Sequence, residues 1–199
     1  MQTTSIDPAT LTFRPLTPET WDDFEELFRQ PGDQNGCWCV FWRVTRREFQ
    51  EHFGEGNRQL MQALVAMGRV PGILAYHAGQ VVGWCSVAPR AEFHSLNRSR
   101  TLKPIDEQPV WSITCFVVSK PHRGQGMTRA LIAAAVDHAR RGGAKIVEAY
   151  PLTAVPLNSP FLEGELYMGV MDTYLSLGFR EAARRSERRA ILRLEIGEE

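Results

Sequence analysis

A chain of 199 residues falls within the roughly 100–200 residues of one domain, or at most two small ones, and is long enough to bury a core. Hydrophobic residues make up 43%, charged residues 23% and aromatic residues 10%, a globular composition that excludes a disordered, collagen-like or coiled-coil chain. Lys plus Arg number 23 and Asp plus Glu number 23, so no surplus positive charge exists to neutralise nucleic-acid phosphates or an anionic membrane, and neither partner is expected.

The longest apolar stretches, 110–118 and 131–136, fall far short of the ~20 residues of a membrane span. The opening MQTTSIDPAT has neither the basic start nor the apolar core of a secretory signal, which points to the cytoplasm and to the four cysteines being thiols.

Residues 10–14 read as a short strand. Thr17 then stands as an N-cap with Pro18 at the first helical position, and Trp21, Phe24, Leu27 and Phe28 share one face of the helix that follows. Residues 30–36 break it. A dense aromatic stretch, Cys37-Trp38-Cys39-Val40-Phe41-Trp42, precedes a capping box in which Thr45 stands three residues ahead of Glu48. Asn57 reads as the N-cap of a further helix, with Leu60, Met61, Leu64 and Val65 on its apolar face. Runs 73–77 and 81–87 form a hairpin through Ala78, Gly79 and Gln80. Residues 88–108 are polar and irregular.

The apolar, β-branched run 110–118 reads as a strand buried on both faces. A glycine-bearing loop leads from it to a helix over 127–141 that Gly142 and Gly143 stop, and 144–150 reads as the next strand, which makes a right-handed parallel crossover the default. A loop over 151–164, a helix over 165–177 and a last strand over 190–196 complete a single α/β domain spanning 1–199.

The informative loop is Ser119-Lys120-Pro121-His122-Arg123-Gly124-Gln125-Gly126 before Met127-Thr128. Glycines that turn backbone N–H groups outward at a helix N-terminus suit a phosphate or pyrophosphate. A P-loop reading fails, because neither glycine is followed by Lys and then Ser or Thr. A dinucleotide fingerprint would need Gly or Ala where Arg129 stands, and its glycines would follow the strand at once instead of after five residues. Glu148 does stand near the spacing of the acid that binds a ribose, so that reading is weakened and not removed.

Arg123-Gly124-Gln125-Gly126-Met127-Thr128 resembles the R/Q-x-x-G-x-G/A acetyl-CoA signature of the GNAT superfamily of N-acetyltransferases. Gly79 to Trp84 resembles that family's hairpin, Val118 stands five residues before the Arg as the family has it, and Tyr174-Leu-Ser-Leu-Gly178-Phe179 resembles its Y-x-x-x-G-F close. Thr128 departs from the usual Gly or Ala. Gly36-Cys37-Trp38-Cys39 with Phe41-Trp42, and Asp106 with Val110-Trp111 before Cys115-Phe116, also resemble one bacterial branch of the family.

The resemblance implies a three-layer α/β fold, a mixed β-sheet flanked by helices. It implies acetyl-CoA as co-substrate, with the pantetheine arm along Phe116, Val117 and Val118 and the pyrophosphate over the amides of Arg123, Gly124, Gln125, Gly126, Met127 and Thr128. Tyr174 resembles the family tyrosine that faces the CoA sulfur. The reaction expected is acetyl transfer to a primary amine of a small molecule; a peptide or protein amine, and a silent acyl-CoA-binding sensor, are the alternatives. Homodimers are common in the family, though nothing in this sequence spells one out.

An amine of pKa near 10.4 is mostly protonated at neutral pH, so the reaction needs a base or a desolvating pocket. Where some members place a glutamate early on the fourth strand, Ser112 and Thr114 stand here. Glu148 is therefore the leading candidate, as a base acting through water or as the carboxylate that binds the acceptor's ammonium, with Asp106 and Glu107 behind it. Trp38, Trp42 and Trp111 are candidates for lining the acceptor pocket. Cys37 and Cys39 lack a second ligand pair at metal-site spacing, so no metal is expected.

Overall fold

The computed structural model describes residues 6–30, 36–153 and 166–197. The chain runs β1 (Leu11–Pro15), α1 (Trp21–Arg29), α2 (Arg46–Glu51), α3 (Glu55–Ala66), β2 (Gly72–His77), β3 (Gln80–Pro89), α4 (His94–Asn97), β4 (Trp111–Val118), α5 (Met127–Arg141), β5 (Ile146–Ala149), α6 (Met171–Leu175), β6 (Arg180–Arg184) and β7 (Ala190–Glu195). The strands form one sheet in the order β1-β2-β3-β4-β5-β7-β6. Every pairing is antiparallel except β4 with β5, where α5 supplies the crossover.

Strand alternation divides the core. In β2, Ile73 and Ala75 face α5, while Leu74 and Tyr76 face α1. The α5 side is filled by Leu131, Ile132, Ala135 and Ala139 against Ile113, Val147 and Ala149. The α1 side is aromatic: Phe24 meets Phe28 at 4.3 Å and Trp84 at 4.8 Å between ring centroids. A third, smaller cluster of Phe93, Leu96, Tyr150, Met168 and Ile191 closes the start of β4. The expected mixed sheet between helices is present, and β4 is buried on both faces as its run of apolar residues predicted.

Two irregularities in β4 position the site. Ser86 pairs with Cys115 but Val87 pairs with Ile113, which leaves Thr114 as an extra, bulged residue. On its other edge β4 pairs with β5 only at Trp111, Ser112 and Ile113, and beyond Ala149 the chain turns away so that Leu152 bridges Val170 and Arg189 instead. The two parallel strands are therefore split beyond Ile113.

Several boundaries differ from the sequence expectation. The helix capped by Asn57 starts earlier, at Glu55 after Gly54 (φ 88°), and Asn57 is instead buried with its side-chain amide donating to Gly36 O at 2.8 Å. The helix expected over 165–177 is broken by Gly169 (φ 77°) into a 3-10 turn at Leu166–Met168 and α6. β6 is an exposed edge strand of Arg, Glu and Ala with no apolar alternation to mark it in the sequence. Residues 154–165, most of the expected loop, lie outside the described residues. Among the described residues no helix is long and apolar enough to cross a membrane.

Candidate active site

The loop from β4 to α5 is shaped by Gly124 at φ 71° and Gly126 at φ 84°, left-handed backbone that an L side chain resists. Gly126 is the N-cap of α5 and has no side chain to satisfy the helix, whose first internal bond runs from Ala130 N to Gly126 O. The amides ahead of Ala130 have no partner inside the helix and carry its positive partial charge. Arg123 Nε donates to Val118 O at 3.1 Å and Gln125 Nε2 to Pro121 O at 2.6 Å, which fix the loop against the strand end. Val118, Arg123, Gly124, Gly126, Met127 and Thr128, with Arg129 and Thr173, line a groove of about 340 Å³. Such a cradle of amides with no competing cap fits a pyrophosphate.

The groove lies at one end of β4, whose edge beyond Ile113 is released from β5. Phe116 faces the α5 side, with its ring 6.4 Å from that of Tyr174, while Val117 faces the α1 side. Gly169 is held where a Cβ would come within 3.1 Å of Tyr174, 3.5 Å of Phe116 and 3.8 Å of Thr128, so these three side chains surround one point beside the split. Tyr174 is fully buried, and its hydroxyl donates to Met168 O at 3.2 Å. Burial pushes its phenol well above the ordinary tyrosine range, so the group keeps its proton and serves as a donor.

At the other end of the split stands a closed polar network. Tyr150 donates to Glu148 Oε2 at 2.8 Å, and Ser112 Oγ lies 2.7 Å from the Tyr150 hydroxyl. Arg90 Nη1 donates to both Glu148 Oε2 and Tyr150 Oη at 2.6 Å, and Arg193 Nε reaches Glu148 Oε1 at 2.8 Å. Arg193 also grips Asp106 with two nitrogens, at 2.6 and 2.9 Å, and its hydrogen bond holds that carboxyl below the usual range. Glu148 is 1% exposed, with both oxygens committed to these partners.

Residues 14–158 match the family model described as Acetyltransferase (GNAT) family. The chain belongs to the GNAT acetyltransferase family. The fold agrees with solved GNAT structures at low identity: one from Listeria monocytogenes, 11% identical with a TM-score of 0.56, covers 94% of this chain and 95% of its own. One from Desulfovibrio desulfuricans, 17% identical with a TM-score of 0.52, covers 93% and 98%. One from Streptococcus agalactiae, 11% identical with a TM-score of 0.53, covers 95% and 96%. A search of curated proteins found no match. As a GNAT member the protein is an acyltransferase with acetyl-CoA as donor and an amine as acceptor.

The GNAT fold separates the three candidate tryptophans. Trp38 is 7% exposed and stacks on Phe28 at 5.6 Å, inside the α1 core. Trp111 lies on the opposite, α5 face, its indole seated where a Cβ on Gly142 would come within 2.5 Å. Trp42 is half-buried and packs, with Tyr167, against the third cluster, and its buried Nε1 has no hydrogen-bond partner among the described residues. The three do not line one pocket. Sequence reasoning missed Arg90, Tyr150, Arg193 and Tyr167, which come from four separate segments, and periodicity carried no signal for their convergence. All four cysteines are free thiols, and among the described residues no group of three or more His, Cys, Asp or Glu could hold a metal ion.

Proposed function

We propose that the protein transfers the acetyl group of acetyl-CoA to a primary amine of a small molecule by direct attack on the thioester. The observation that carries this is the uncapped N-terminus of α5 standing at the end of the split between β4 and β5. On this reading the amides of Arg123, Gly124, Gln125, Gly126, Met127 and Thr128 hold the pyrophosphate, and the strand backbone at Phe116, Val117 and Val118 holds the pantetheine arm. Acetyl-CoA supplies the activated carbonyl and the thiolate leaving group.

Tyr174 is proposed to stabilise that thiolate by a hydrogen bond. Full proton donation from a phenol of pKa about 10 to a thiolate whose thiol has a pKa of about 8.5 is uphill by roughly 2 kcal/mol, and burial of the phenol makes it steeper. Glu148 acts at one remove: Tyr150 donates to it, and Ser112 is held in turn by Tyr150, so the network fixes the polar group at the start of β4 that orients the amine or its water. Trp42, with Tyr167, supplies the apolar wall on the acceptor side.

A CoA-release assay across small amines, amino acids and amine-bearing peptides tests this. Release with small amines is expected; release with peptides alone transfers the reading to a peptide acceptor. The absence of an uncommitted carboxylate on β4 favours one other reading, an acyl-CoA sensor, which acetyl-CoA binding without release from any amine would establish.

A further inference from the structure

Cys39 is placed by unusual means. Trp38 and Cys39 are consecutive residues in left-handed backbone, at φ 45° and 58°, conformations that side chains other than glycine's avoid. The outcome is that Trp38 turns into the α1 core while the Cys39 thiol turns onto the sheet. There Trp84 Nε1 donates to Cys39 Sγ at 3.1 Å, and Cys115, from β4 beside the Thr114 bulge, is buried in the same cluster. The buried Arg43 side chain, paired with Glu92 at 2.9 Å, adds its charge. Burial opposes ionisation of Cys39, but the hydrogen bonds from Cys115, Trp84 and Ser86 and the Arg43 charge outweigh it and bring its pKa below the ordinary thiol value.

The other cysteines are placed differently. Cys37 Sγ accepts from the Cys39 backbone N–H at 3.3 Å. Cys85 belongs to the core on the α5 side, across the sheet from Cys39 and Cys115.

We propose that Cys39 and Cys115 are a redox pair that hydrogen peroxide closes into a reversible disulfide at the acceptor side of β4. The Cys39 thiolate attacks one peroxide oxygen, an S–O bond forms as the O–O bond breaks, and the departing hydroxide takes a proton to become water. The Cys115 sulfur then attacks the Cys39 sulfur of the sulfenic acid; the S–S bond forms, and the hydroxyl leaves with the Cys115 proton as a second water. Two thiols lose two electrons and two protons, and one peroxide becomes two waters.

The bond ties the turn that precedes Trp42 to the bulged part of β4. Its effect on catalysis rests on the acetyl-transfer reading above; its formation does not.

The full-length protein is reduced, exposed to excess hydrogen peroxide and digested without reductant for mass spectrometry. A Cys39–Cys115 linked peptide, lighter by two hydrogens and released by dithiothreitol, is expected, and Cys37→Ser should still form it. In Cys115→Ala the sulfenic acid on Cys39 should persist long enough for dimedone to trap it. A Cys37–Cys39 link, Cys39 carried on to sulfinic acid in the wild type, or four unmodified thiols would overturn the pairing, and the wild-type map decides this even if a variant does not fold. Oxidation is expected to lower CoA release about tenfold or more, through displacement of the acceptor side, with reductant restoring it. An unchanged rate with the bond formed overturns that consequence. If the reduced protein releases CoA with no amine, the acetyl-transfer reading fails while the peptide map still judges the disulfide.

Discussion

Arg90 and Glu148 meet as a buried ion pair, Nη1 to Oε2 at 2.6 Å, with their side chains 8% and 1% exposed. Arg90 comes from the turn after β3 and Glu148 from β5, so the pair reaches across β4, and Arg193 of β7 closes it from the other side. The contact joins three strands at the point where β4 and β5 are still paired, just before they split.

Glu148→Gln removes the charge that both arginines face and is expected to cost about 3–5 kcal/mol, the range for breaking one side of a buried pair. Urea denaturation measures it. A variant as stable as the wild type would show that the arginines rehydrate freely. Tyr150→Phe keeps the ion pair but cuts Ser112 from Glu148; kcat is expected to fall about tenfold with acetyl-CoA affinity retained, the size of an orienting contact in a proton-transfer step.

Tyr174→Phe removes only the hydroxyl. Its bond to Met168 O is long at 3.2 Å, so stability is expected to fall by about 1 kcal/mol. If the hydroxyl hydrogen-bonds the leaving thiolate, kcat falls at least about tenfold while the Kd for acetyl-CoA stays within about twofold, because the contact matures only as charge develops. Wild-type turnover would return Tyr174 to a packing role against Phe179, whose ring is 5.1 Å away.

Gly126→Ala places a Cβ on a residue at φ 84°, a strain of roughly 1–2 kcal/mol. The loop relieves it by rotating the amides that open α5, so calorimetry should show acetyl-CoA binding weakened about tenfold or more, with less change in Tm than in affinity. Unchanged affinity would mean that those amides do not hold the pyrophosphate.

The donor half of this site was legible in the sequence and the acceptor half was not, for a physical reason. Gly124, Gly126 and the start of α5 are contiguous, so spacing alone places the anion cradle, and the expected helix over 127–141 matches α5. The network around Glu148 draws on Arg90, Asp106, Tyr150 and Arg193, which only the sheet order brings together. Glu148 stood out as a lone acid on a strand, a description that carries no trace of two arginines. Trp38 and Trp111 share their residue type and their neighbourhood of cysteines, yet strand alternation and the turn at Trp38 send them into opposite cores.

Cys37 offers a last test, this time of the aromatic turn. It is the most exposed of the four thiols, being half-buried while the others are buried, and exposure alone would make it the fastest to alkylate. Burial of its sulfur and the neighbouring Cys39 push its pKa up to about 12, against an ordinary value of 9.0. The thiolate is the nucleophile, so at pH 8 only about one molecule in ten thousand is reactive at Cys37. Iodoacetamide labelling of Cys37, followed by mass spectrometry, is expected to rise about tenfold per pH unit up to about pH 11 without levelling off. The same shift makes the folded state bind the proton more tightly than the unfolded chain does. Its contribution to stability is therefore complete below pH 9.0 and is lost as the pH climbs toward about 12. A labelling curve that levels near pH 9 would show the sulfur to be hydrated, and with it the turn that holds Trp38 and Cys39 in left-handed backbone to be open.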